Sequence, residues 1–256
     1  YGCSLAVLQD VVVENMQVQH EEFVNRLGRA TASVPDTASG IGLVAVVPGV
    51  GLRRVFESLG VQAVVAGGQT MNPSTEELLG AVNGLPNRQV IILPNNSNVV
   101  LTARQAKSLA AKDVAIVPTR TIPQGISALR ALNYQADLET NAAAMEEAAS
   151  AVQTIEVTTA VRSAGVNGMK VSQGDMIALL NDELSAVGSD CLTVVLPVLE
   201  RIHAERLEII TIYHGADSSK TEAEAFAAAI KERYPAQDVE LIDGGQPHYA
   251  YIISAE

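Results

Sequence analysis

With 256 residues, the chain is long enough for one large α/β domain or two small lobes, and its formal net charge of −12 argues against the basic stripe of a nucleic-acid binder. Hydrophobic residues reach 48% and aromatic residues only 4%, so a disordered chain is not expected and the core has to be built from Val, Ile, Leu and Ala, the material of buried parallel strands. Cys3 and Cys191 form neither a disulfide framework nor a zinc spacing and are expected as reduced thiols in a cytoplasmic protein.

Residues 1–38 differ from the remainder of the chain. Val11-Val12-Val13 reads as a short strand, 14–27 as a helix or loose arm, and the Ser, Thr, Pro and Gly around 31–40 as a linker. The opening Tyr1-Gly2-Cys3 has no charged signal-peptide start and no initiator Met, so the chain is read as a fragment or a processed product. No apolar run reaches membrane-spanning length.

From Gly42 the pattern becomes regular. Apolar runs at 43–47, 61–66, 90–93 and 114–117 each stop at Gly or Pro and alternate with helical spacings at 50–59, 74–82, 97–111 and 123–132. Such alternation predicts βαβ units and a parallel sheet spanning 39–135. Its carboxyl edge is where open α/β sheets bind ligands. An Ala- and Glu-rich helix at 137–151 is expected to bridge to a second lobe, 136–256. There 154–162 alternates like an exposed antiparallel strand, Asn181-Asp182 marks a hairpin, and 191–204 reads as an apolar helix kinked or started late by Pro197. A strand at 207–213, a helix at 221–234 and closing strands at 239–242 and 249–253 complete an α+β lobe with a mixed sheet.

Three strand ends carry candidate chemistry. Pro48-Gly49-Val50-Gly51-Leu52-Arg53-Arg54 opens a helix and is either a tight turn or an anion-binding helix start; Arg54 breaks the dinucleotide fingerprint. In Gly67-Gly68-Gln69-Thr70-Met71-Asn72-Pro73-Ser74 the glycines allow close approach, Asn72 or Ser74 can cap a helix, and Thr70 can donate to a ligand carboxylate; a plain capped loop explains the stretch as well. Pro94-Asn95-Asn96-Ser97-Asn98 has more small polar side chains than a cap needs, leaving some for a partner or polar ligand. His214 and His248 lie in loops, but no histidine has a metal-like neighbour and no nucleophile motif is present.

Gly67 through Leu79, Val90 through Val99, and the ending from Gly244-Gly245-Gln246-Pro247 to Glu256 closely resemble the C-terminal region of the catalytic component of fatty acid kinase, which is dihydroxyacetone-kinase-like. The resemblance covers roughly residues 10–256. It implies a C-terminal domain similar to DegV-type fatty-acid-binding proteins, which docks a fatty-acid-binding carrier protein. The ATP and Mg of the parent kinase would sit in a domain this chain lacks, so the chain needs no cofactor of its own, is expected to be inactive as a kinase alone, and has no catalytic residue. Residues 1–30, with Glu14-Asn15-Met16, resemble the tail of the preceding middle domain, the part through which a homodimer would form.

Thr70-Met71-Asn72-Pro73-Ser74 is similar to the Thr-Ser-Gln-Pro-Ser loop of DegV proteins, whose Thr helps to hold a fatty acid carboxylate. Asn95 and Asn96 stand where the carriers present serines, and His248 stands in a segment that lacks the carriers' Gly-Val-His-Thr-Gly-Pro-Gly pattern. Three functions stay open: a docking domain for the acyl-loaded carrier, a lipid-binding protein using Thr70, and a dihydroxyacetone-kinase-like substrate domain with His214 as its covalent anchor.

Overall fold

Short Val- and Ile-rich runs form four strands, β1 (Ile41–Val47), β2 (Ala63–Ala66), β3 (Gln89–Leu93) and β4 (Asp113–Ile116). They make a sheet of order β2-β1-β3-β4, parallel at every pairing. The structure is a computed structural model that describes residues 40–68, 71–166 and 168–256. The readings placed on residues 1–38, and those on Gln69 and Thr70, lie outside the described residues.

Side-chain alternation along the strands supplies two cores. Val44, Val46, Val90 and Ile92 face helices α2 (Thr75–Gly84) and α3 (Ser97–Leu109) through Leu78, Val82, Val99 and Ala103. Leu43, Ala45, Val47, Ile91 and Leu93 face the other way, onto Leu52 and Phe56 of α1 (Val50–Ser58), Ile126 and Leu129 of α4 (Ile122–Arg130), and Met145 of α5 (Leu138–Ala151). Each fully buried Leu, Ile or Phe contributes about 1.5–3 kcal/mol. The helix predicted to bridge the lobes, α5, packs against α4, β3 and β4.

The second sheet has the order β11-β10-β12-β5-β8-β9. Its strands are β5 (Gln153–Thr159), β8 (Met176–Leu180), β9 (Glu183–Gly188), β10 (Ile209–His214), β11 (Asp238–Asp243) and β12 (Tyr249–Ala255), with a small β6 (Ala164–Val166) and β7 (Met169–Val171) hairpin beside them. The β10–β11 pairing is parallel and the others are antiparallel, so the sheet is mixed. Asn181 and Asp182, both at positive φ, make the two-residue turn between β8 and β9. Helix α6 (Cys191–Arg201) starts at Asp190, whose side chain accepts from the Thr193 amide, so Pro197 falls inside the helix and does not delay it. With α7 (Lys220–Arg233) it covers one face of the sheet through Val194, Val198, Leu199, Phe226 and Ile230.

The other face carries Tyr213, Tyr249 and Ile252 into the same core as α1, α4 and α5. Strand β5 is antiparallel to both of its neighbours, as its alternation suggested, but it is not exposed. It lies between β12 and β8, and Thr154, Ile155, Glu156 and Val157 are all buried.

The two layers meet in backbone contact at the start of α1. Gly49 sits at φ 80, and a side chain on it or on Gly51 would collide with the Asp243–Gln246 backbone. The Leu52 amide donates to the Gly244 carbonyl at 2.9 Å. One of the helix-start amides that the sequence offered to an anion is thus satisfied by the second layer.

Candidate functional site

In a β2-β1-β3-β4 sheet the chain leaves β1 toward one edge and β3 toward the other, so the crevice outside the ends of β1 and β3 is the topological switch point. A cavity of about 130 Å³ lies there. Val46 to Gly49 at the end of β1, Ala66 to Gly68 and Met71 at and beyond the end of β2, and Pro94 to Asn96 after β3 form one side. Ile122, Glu156, Pro247, His248, Tyr249 and Ile252 form the other.

The structure thus gathers Gly67, Gly68, Asn95, Asn96 and His248 of the sequence-predicted residues around one space. Close approach explains the glycines, since a Cβ on Gly67 would press on Val46 and Pro73, and one on Gly68 on Pro48. Ser74 caps α2 in a capping box with Glu77, while Asn72 is exposed. The Asn96 side chain accepts from the Asn98 amide at 2.8 Å and caps α3. Ser97 donates to the Asp182 carboxylate in the β8–β9 turn, outside the cavity lining. His214 is buried at the end of β10, with Nε2 3.8 Å from an Asp243 oxygen and Nδ1 near the Gly215 carbonyl, also outside the lining.

Asn95 is occupied within the fold. It is buried at φ 53, its amide nitrogen donates to the Val46 carbonyl at 3.0 Å, and its oxygen accepts from the Thr119 hydroxyl at 2.8 Å. Its backbone N–H donates to the same hydroxyl at 3.1 Å. Those bonds staple β1, β3 and the β4–α4 loop together, and they use the side-chain groups that the sequence offered to a ligand.

The residue that sequence reasoning missed is Glu156. It projects from the middle of β5, on the face opposite Ile155 and Val157, and is only 5% exposed. Its Oε2 makes no hydrogen bond to any described group. Burial, supported by the nearby charge of Asp182, pushes its carboxyl up to about 8, and a hydrogen bond with Tyr249 only partly opposes this. At neutral pH the group is mostly protonated, an unusual state for a carboxyl lining a cavity. The only sequence signal for it was a charged residue in the Thr154-Ile155-Glu156-Val157-Thr158 alternation.

Among the described residues no group of three or more His, Cys, Asp or Glu is arranged to hold a metal ion. The Gly49–Gly51 turn packs closely on the Gly244–Gly245 backbone. Also among the described residues, no helix is long and apolar enough to cross a membrane.

Comparison with known proteins agrees with this fold. The chain is 38% identical to the protein YloV of Bacillus subtilis (strain 168) over its whole length, and it spans 46% of that protein; it therefore covers about half the length of the curated relatives it matches. A DegV family protein from Corynebacterium glutamicum superimposes with TM-score 0.60 at 12% identity, over 84% of this chain and 96% of that one. The fatty acid kinase B3 protein of Streptococcus pneumoniae, loaded with linoleic acid, gives 0.55 at 10% identity over 84% and 99%. The dihydroxyacetone kinase of C. freundii gives 0.58 at 13% identity over 97% and 57%. At these identities the structures share the fold alone. The family model for the C-terminal region of FakA-like fatty acid kinase proteins matches residues 42–256, and the chain belongs to that family.

Proposed function

We propose that this chain is the docking domain of a two-component fatty acid kinase, holding an acyl-loaded carrier protein so that its carboxylate reaches a nucleotide-binding domain elsewhere in the parent protein. The observation that carries this reading is a carrier-like fold whose switch-point cavity, about 130 Å³, falls short of the 300–1,000 Å³ usual for a small-molecule site. The polar groups at its edge are largely committed to the fold, with Asn95 stapling strands and Asn96 capping a helix. A domain with a carrier-like fold and so small a switch-point cavity is suited to recognising a carrier. Tethering then raises the effective concentration of the acyl carboxylate at the phosphate donor, without chemistry in this domain.

Titration of the chain with a cognate DegV-like carrier loaded with oleate tests the reading. Saturable one-to-one binding is expected, and its absence would overturn the proposal. A second reading, a lipid site using Thr70, draws support from the linoleate-loaded neighbour that shares the fold. Native mass spectrometry with oleate separates the two. A bare protein mass supports docking, and a one-to-one oleate adduct supports the lipid site.

A further inference from the structure

The cavity at the switch point has a polarity that the docking reading leaves unexplained. Its walls are mostly apolar, from Val46, Val47, Pro94, Ile122 and Ile252, and Met71, 66% exposed, stands at its rim. Against these walls stands an ionisable group that is both buried and incompletely bonded, Glu156, whose Oε2 lacks a described partner. A buried oxygen in that state is costly unless a ligand supplies the missing bond. Three kinds of occupant can be compared by their chemistry. An apolar plug leaves Oε2 unsatisfied. An anionic head group could accept only from the protonated carboxyl, and it would lie near the charge of Asp182 in a chain of net charge −12. A cation on a short hydrocarbon stem matches both the walls and the oxygen, as Lys and Arg side chains do when their methylenes lie on apolar surface.

We propose that this cavity receives a lysine or arginine side chain from the docking partner, with Glu156 as its counter-charge. A volume of about 130 Å³ suits such a side-chain end, since an engineered cavity of about 150 Å³ holds benzene. The groups facing Glu156 set the pH behaviour. Asp182 repels its charge, the Tyr249 hydroxyl stabilises it, and His248 lines the same cavity. A bound cation favours the ionised carboxyl, so binding releases a proton from Glu156 wherever that group is protonated in the free chain. With the free group near 8, affinity rises about tenfold from pH 7 to pH 9.

The identity of the partner rests on the docking reading, but the site can be probed without the carrier. Calorimetric titration with ethylguanidinium chloride, sodium propionate and 1-propanol at constant ionic strength compares a cation, an anion and a neutral molecule of similar size. Saturable binding of ethylguanidinium alone is expected, strengthening as pH rises and weakened at least tenfold by Glu156→Gln. Should that variant not fold, Asp182→Asn, outside the cavity lining, removes a charge that opposes ionisation of Glu156 and is expected to move the pH dependence of guanidinium binding to lower pH. Preference for propionate or propanol, no saturable binding at all, or guanidinium binding indifferent to pH and to Glu156 would overturn the proposal. Guanidinium binding without carrier binding would sink the docking reading and leave the cation site standing. Carrier binding without guanidinium binding would sink this inference alone.

Discussion

Asn95 and Glu156 line the same cavity and are both more than nine-tenths buried, yet they are in opposite states. Asn95 spends its side-chain groups on Val46 and Thr119, whereas Glu156 keeps an oxygen with no described partner. A polar cluster at a strand end is thus a weak guide to a site when the fold itself consumes its hydrogen bonds. A single unsatisfied group on a central strand is a stronger one.

The largest test of this contrast is the pH dependence of stability. The folded carboxyl of Glu156 is raised to about 8 from an ordinary 4.5. The unfolded chain therefore loses its proton first as pH rises. The stabilising contribution is fully present below about pH 4.5 and is lost by about pH 8, a swing on the order of 4 kcal/mol. Glu156→Gln has no such proton to lose, so its stability relative to the wild-type chain should climb by that amount between pH 4.5 and pH 8 in urea denaturation. A constant difference between the two would mean that Glu156 titrates normally.

Asn95→Ala should cost about 3 kcal/mol, because it strands the Val46 carbonyl and the Thr119 hydroxyl in the core and leaves alanine at a positive φ. Its urea midpoint should fall at every pH, in contrast to the pH-selective effect at Glu156. Gly51→Ala should cost about 2 kcal/mol, since the added methyl meets the Asp243 carbonyl and forces the two layers apart. Ser74→Ala removes an exposed cap and should cost about 1 kcal/mol, with no change in carrier binding.

Much of the fold was legible because local signals agreed. Apolar runs ended in Gly or Pro, helices began at capping residues such as Ser74 and Asn96, and Asn181-Asp182 announced its turn. The site was less legible, for a reason specific to each residue. The partners of Asn95 lie 49 and 24 positions away, so its loop looked richer in free polar groups than it is. The alternation through Glu156 is what a half-exposed strand shows. Only the placement of β5 between β12 and β8, with α4 and the first sheet over its polar face, turns that residue inward.

The backbone weld at Gly49, Gly51 and Gly244 also bears on rates. Lobes pinned by a main-chain hydrogen bond and by glycine contacts leave no slack for hinge closure at that junction. A partner arriving at this surface meets a shape already set, and association should be a single step whose observed rate grows linearly with partner concentration. For a basic partner approaching a chain of net charge −12, that rate should fall steeply as salt is added, while dissociation changes little.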